Sequence, residues 1–159
     1  MPSPRRPILT VVAALTAGTL ITGCDNVPSE PTLTKQEAVA RVDARAQEAF
    51  AQLPTGATLK TRSSKPDLPC DNGPDGRTFV ENTYTIDYPQ GWPIQQSMTV
   101  LAEFWTKNNY KTVRDDRQDD SAPELVVEHP DDAFHIGYLV SYRDNGRIDA
   151  VLRSSSTCL

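Results

Sequence analysis

Long apolar runs are scarce in this 159-residue chain, and the one near its start, "PILTVVAALTAGTLI", is about 15 residues against the roughly 20 that a permanent membrane helix needs. A transmembrane anchor is therefore the weaker reading. Positive charge is also short, with 16 Lys and Arg against 21 Asp and Glu, which argues against nucleic acid and against an electrostatic grip on anionic lipid head groups. Histidine occurs twice, as His129 and His135, and cysteine three times. No two cysteines stand in C-x-x-C spacing, so a redox couple or a zinc-binding pair is disfavoured. No G-x-S-x-G elbow presents a serine nucleophile, and no acidic stretch has the alternating ligands, central glycine and final glutamate of an EF-hand loop. Internal repeats and a second domain boundary are missing too. These absences leave no catalytic signature.

What is present begins with an address. Arg5 and Arg6 precede the apolar run, which ends in small residues, and together they form a signal peptide over residues 1–23. Ile21, Thr22 and Gly23 before Cys24 match the lipobox of bacterial lipoproteins. That match implies a thioether-linked lipid on Cys24 and cleavage after Gly23. One acyl chain binds a membrane only reversibly, whereas the several chains of a lipoprotein hold firmly. "RRPIL" also resembles the twin-arginine export signal, although paired arginines are ordinary in this region, so the export route stays open. Asp25, next to the lipidated cysteine, would favour inner-membrane retention in a bacterium with two membranes.

Lipidation of Cys24 leaves Cys70 and Cys158, which in an exported chain are expected to form a disulfide. Without residues 1–23 the chain keeps 14 basic and 21 acidic residues, a net charge of about −7. Residues 24–33 are the lipidated cysteine and a polar, Pro-containing tether with a reach of at most roughly 30 Å. Residues 34–159 are long enough for one domain.

Thr34 and Glu37 make a capping box, followed by Val39, Val42, Ala46, Ala49, Phe50 and Leu53 at helical spacing. "ATLKTR" reads as a strand, "KPDLPCDNGPDG" as a Pro/Gly-rich loop, and "RTFVENTYTIDY" as a second strand. Ile94, Met98, Leu101 and Trp105 line a second helix, for which Asn108 and Asn109 suit the exit. "ELVVEH", then Phe134, Ile136, Tyr138, Val140 and Tyr142 on one strand face, then "IDAVLRSSSTCL" after the Asn145-Gly146 turn, make an antiparallel meander. The expected fold is α+β: an antiparallel sheet of four to five strands with two helices on one face, in the order α-β-β-α-β-β-β.

That order, the lipobox, a Cys in the loop after the first strand and a final strand ending "SSTCL" resemble the LppA-type lipoproteins of actinobacteria. The resemblance implies a surface lipoprotein of undetermined biochemical role. It carries over Cys24, Cys70 and Cys158 and no catalytic residue.

Several constellations compete with plainer readings. His129, Asp131, Asp132 and His135 are metal-ligand types, yet they flank an ordinary turn and lack a convincing third ligand. "RDDRQDD", with Asp115, Asp116, Asp119 and Asp120, reads as a solvated turn rather than a calcium loop. Ser154, Ser155, Ser156 and Thr157 read as polar neighbours of a disulfide. Trp92, Trp105, Tyr84, Tyr138 and Tyr142 could line an apolar cleft, but their spacing fits core positions; Trp92, in a turn, is the candidate for an exposed partner contact. The sequence thus points to a lipid-anchored protein on the extracytoplasmic face of the cell membrane, with no catalytic role, no cofactor and no nucleic-acid partner. It would serve as a binding or accessory module for an envelope protein or ligand. The alternatives are a carrier of a lipid or small apolar ligand, which needs an enclosed cavity, and an envelope hydrolase, which needs His129 and His135 in one cleft.

Overall fold

The computed structural model describes residues 33–70 and 76–159; Cys24, the signal peptide and nearly all of the tether lie outside the described residues. Helix α1 (Lys35–Phe50) starts at the expected capping box, in which Thr34 accepts from the Glu37 backbone N–H and the Glu37 carboxylate accepts from the Thr34 backbone N–H. Its buried stripe is Ala38, Val42, Ala46 and Ala49. Helix α2 (Ile94–Lys107) buries Ser97, Met98, Leu101 and Trp105. It ends where Asn109 takes φ 60°, the left-handed conformation that asparagine tolerates.

Six strands form one antiparallel sheet: β1 (Thr58–Pro69), β2 (Thr78–Asp87), β3 (Lys111–Asp115), β4 (Glu124–Glu128), β5 (His135–Tyr142) and β6 (Ile148–Ser155). Their order across the sheet is β1-β2-β6-β5-β4-β3, so α2 carries the chain from β2 to the far edge and a four-stranded meander leads back to it. The expected count of four to five strands is therefore corrected to six, and the order to α-β-β-α-β-β-β-β. Both departures concern edges. β3 is exposed at every position, so no burial alternation marks it in the sequence. β1 runs on through Pro66 into the segment expected to be a loop, with its register interrupted between Lys65 and Leu68. An edge strand tolerates proline because a missing N–H on its outer side costs no ladder bond.

Alternation places Val80, Asn82, Tyr84 and Ile86 of β2, Leu152 and Ser154 of β6, Ile136, Tyr138 and Val140 of β5, and Leu125 and Val127 of β4 on the helix-covered face. The core there is divided. A large cluster joins Ala46 and Ala49 of α1 and Met98, Leu101 and Trp105 of α2 to the sheet. A small one holds Ala38, Val42, Val80 and Phe134, with Leu33 and Leu159 packed against it. Polar side chains lie between: Asp43 of α1 accepts hydrogen bonds from Asn82 (2.7 Å) and from the Tyr84 hydroxyl. Arg45 donates to Asp132 through Nε (3.2 Å) and Nη2 (2.9 Å).

The small cluster sits beside the Cys70–Cys158 disulfide, whose Cα atoms are 5.9 Å apart across 88 residues of sequence. The Leu159 backbone N–H donates to Thr78 O nearby. Among the described residues no helix is long and apolar enough to cross a membrane.

Candidate functional site

The residues singled out by sequence do not converge on one centre. His129 is buried on the helix side of the sheet, in edge-to-face contact with Tyr110 at 4.9 Å between ring centroids. Its Nδ1 accepts from the Asp131 backbone N–H (3.2 Å) and lies 3.1 Å from Asp132 Oδ1. His135 lies on the opposite face, half-exposed and 3.6 Å from Glu128. Strand alternation explains the separation: Val127 points inward, Glu128 outward and His129 inward again, whereas His135 pairs with outward-facing Glu128 and Ser155. The two histidines therefore share no cleft. Among the described residues no three His, Cys, Asp or Glu side chains converge as metal ligands.

Trp92 is half-buried rather than freely displayed, and its indole N–H donates to Ser97 Oγ at 3.1 Å. Ser97 is fully buried in the first turn of α2, so Trp92 folds back over the start of that helix. Beneath it the Tyr88 and Tyr138 hydroxyls are 3.0 Å apart, and burial raises the pKa of both phenols. Tyr84, Tyr138 and Trp105 are core residues and Tyr142 is half-buried. Ser154 and Ser156 are buried; the Ser156 hydroxyl accepts from the Val80 N–H (3.0 Å) and donates to Thr157 O (2.7 Å).

Concave surface forms along the outer side of α2. A cleft of about 460 Å³ opens between the start of α2, the β3–β4 loop and the end of β5. Met98, Pro123, Val140 and Tyr142 supply its apolar lining and Gln95, Gln118 and Asp120 polar groups. Such a mix of apolar wall and a few polar groups is what small-ligand sites present. The groove continues along the helix past Thr99, Ala102 and Thr106 and ends in a pocket of about 50 Å³ lined by Trp105, Tyr110 and Thr112.

The loop that walls this groove is the segment read as a solvated acidic turn, and it is built more tightly than its charge suggests. Asp119 accepts from the backbone N–H and hydroxyl of Ser121 and from the Ala122 N–H, bonds that hold its carboxyl below the usual range. Val140 N–H donates to Pro123 O and Tyr142 N–H to Ser121 O, which ties the loop to β5. Arg117 is clamped by Asp115 through Nε (2.7 Å) and Nη2 (2.6 Å) and lines the cleft, the groove and the small pocket. Sequence reasoning missed Arg117. The signal it had was the pairing of opposite charges two residues apart inside the loop, Asp115 with Arg117, beside an Asp-x-Ser turn at Asp119.

On the uncovered face, a shallow hollow of about 410 Å³ beside the disulfide is lined by Phe79, Val126, His135 and Arg153. Gly137 lies between Val126 and Arg153, and a Cβ there would come within 3.3 Å of Val126 Cγ2.

The α2 groove and this hollow lie at different ends of the sheet. β5 begins at His135 by the disulfide end and reaches Tyr142 at the cleft seven residues later, about 23 Å away. Leu33, where the described chain enters, packs at the disulfide end. Comparison with protein-family models, curated proteins and solved structures finds no match.

Proposed function

We propose that this chain is a lipid-anchored extracytoplasmic protein of the cell membrane that acts as a non-catalytic binding or accessory module of the envelope. The observation that carries the address is the lipobox, Leu20 to Cys24, at the end of a signal peptide. A Cys70–Cys158 disulfide fits an oxidising compartment. The resemblance to LppA-type lipoproteins supports the same address and leaves the activity open.

Geometry supports a binding role over the two alternatives. Trp105, Tyr138, Phe134 and Leu101 fill the space between helices and sheet, where a carrier would hold its ligand. The histidines of a hydrolase reading lie on opposite sheet faces. The α2 groove, by contrast, is concave and open at the surface, as a binding module requires.

The address is tested by fractionating cells that express a Cys24→Ala variant. Loss of the membrane-bound pool is expected; a pool that stays with the membrane refutes lipid anchoring.

A further inference from the structure

At the deep end of the α2 groove two donor groups, the Trp105 indole N–H and Arg117 Nη1, meet no acceptor among the described residues. Trp105 is 1% exposed and lines the small pocket, and its indole N–H has no hydrogen-bond acceptor among the described residues. Arg117 lines the same pocket. Asp115 occupies one edge of its guanidinium, through Nε and Nη2, while no acceptor among the described residues meets Nη1. A guanidinium fixed along one edge presents the other as a preorganised fork for a carboxylate. A buried N–H without an acceptor is costly, so an acceptor atom from outside the protein is called for at this point.

The wide cleft, which Arg117 also lines, adds carboxylates that the small pocket lacks. Asp119 is engaged by three donors, but Asp120, which lines the wide cleft, has no such cage. A simple anion would be repelled by this carboxylate and by an acidic protein surface, whereas a zwitterion brings a cation to pair with the carboxylate. Gln95 to Thr106 covers about 16 Å of helix, enough for an extended tripeptide of about 10 Å. Met98, Val140 and Tyr142 offer apolar contact to small side chains between the charged ends, and Gln95 and Gln118 offer amides to a peptide backbone.

We propose that the groove between α2 and the β3–β4 loop binds a short peptide with free termini. Its carboxylate pairs with Arg117 and accepts from the Trp105 indole N–H, and its ammonium group lies towards Asp120. This inference rests on the binding-module reading and deepens it by naming the ligand class.

The test is two-dimensional ¹H–¹⁵N NMR of the full-length chain in detergent, titrated with trialanine, its C-terminal amide and its N-acetylated form. The Trp105 indole resonance is identified by its loss in Trp105→Phe. Unblocked trialanine is expected to shift it, with affinity reduced about tenfold or more by amidation or by Arg117→Gln. N-acetylation is expected to weaken binding less, because Asp120 is exposed and no buried donor adds to its pull, whereas the carboxylate also meets the buried Trp105 N–H. Arg114→Gln, which removes a cation paired with Glu124 and Asp116, is expected to leave binding unchanged. An indole resonance that does not move at millimolar peptide overturns the proposal and leaves the pocket as a water site. Equal affinity for the amide, or for Arg117→Gln, overturns it too. Recovery of intact trialanine keeps this test apart from the broader reading: cleaved peptide would overturn the non-catalytic role while leaving the site in place.

Discussion

The two ends of the sheet bury the same helix by different means. Where Leu33 enters, Ala38, Val42, Val80 and Phe134 form a small cluster, and the disulfide with the Leu159–Thr78 backbone bond closes it. At the other end, Trp105, Tyr138, Leu101, Ile136 and Leu152 build a cluster that needs no crosslink. A small apolar core supplies little stability, and a covalent constraint on the unfolded chain compensates for it. The difference also separates tasks: the crosslinked end packs Leu33 and Leu159, and the well-packed end carries the α2 groove on its outer wall.

Breaking the crosslink is the sharpest test of that contrast. Loop-closure entropy for 88 residues gives a disulfide contribution of about 4 to 5 kcal/mol. Urea unfolding of a Cys70→Ala/Cys158→Ala double variant should lose that much. Amide hydrogen exchange should rise first in Thr78–Val80 and Ser156–Leu159, with the β4–β5 ladder still protected. Uniform acceleration across the whole sheet would show that the ends are not distinct.

A smaller effect is expected from the polar layer between them. Asp132, with a side chain 5% exposed, accepts two bonds from Arg45 and one from the Phe134 backbone N–H (3.2 Å). Asp132→Ala removes all three and leaves a partly buried guanidinium with Glu48 alone, a cost of about 2 to 3 kcal/mol. Asp67→Ala, which breaks the exposed Lys35–Asp67 pair, should cost under about 0.5 kcal/mol in the same denaturation series. If the layer couples the two ends, Asp132→Ala also lowers the denaturant m-value, because one end opens before the other. Equal losses in the two variants would reduce Asp132 to a surface charge.

The same contrast explains which parts of this architecture could be read from residues. The capping box at Thr34 and Glu37, the α2 stripe of Met98, Leu101 and Trp105, and the β5 alternation from Phe134 to Tyr142 depend on local periodicity, and the structure has them where the sequence puts them. The Cys70–Cys158 bond is expected on reading the chain as exported with one of three cysteines lipidated, and the bond is formed. Illegible were features decided by contacts distant in sequence. β3 has no buried residue to betray it, and the pairing of β2 with β6 joins segments some seventy residues apart. The division of the core follows from where α1 crosses the sheet, which periodicity does not encode. Arg117 was hidden for a related reason. A charged loop looks solvated in sequence, and only the fold shows that it is tied to β5 and set against α2.

The smallest effect at neutral pH, and the one that separates the ends without a mutation, comes from alkali. Tyr110 and Tyr138 belong to the large cluster, and burial raises their pKa values, with the nearby Glu48 carboxylate adding to the shift at Tyr110. Tyr84, which meets the polar layer at Asp43, is raised for the same first reason. The small cluster holds no phenol among its described members. A raised folded-state pKa means that the folded chain keeps its phenolic protons where the unfolded chain has lost them. Their contribution is then complete below the ordinary tyrosine value of about 10 and lost as pH rises above it. Stability should therefore be flat in these groups up to about pH 9 and fall steeply beyond pH 10. Phenolate absorbance should rise in step with exchange at β4 and β5, while the crosslinked Thr78–Val80 and Ser156–Leu159 segments open later. Opening of the crosslinked end first would mean that the large cluster, and not the disulfide, is the more durable of the two solutions.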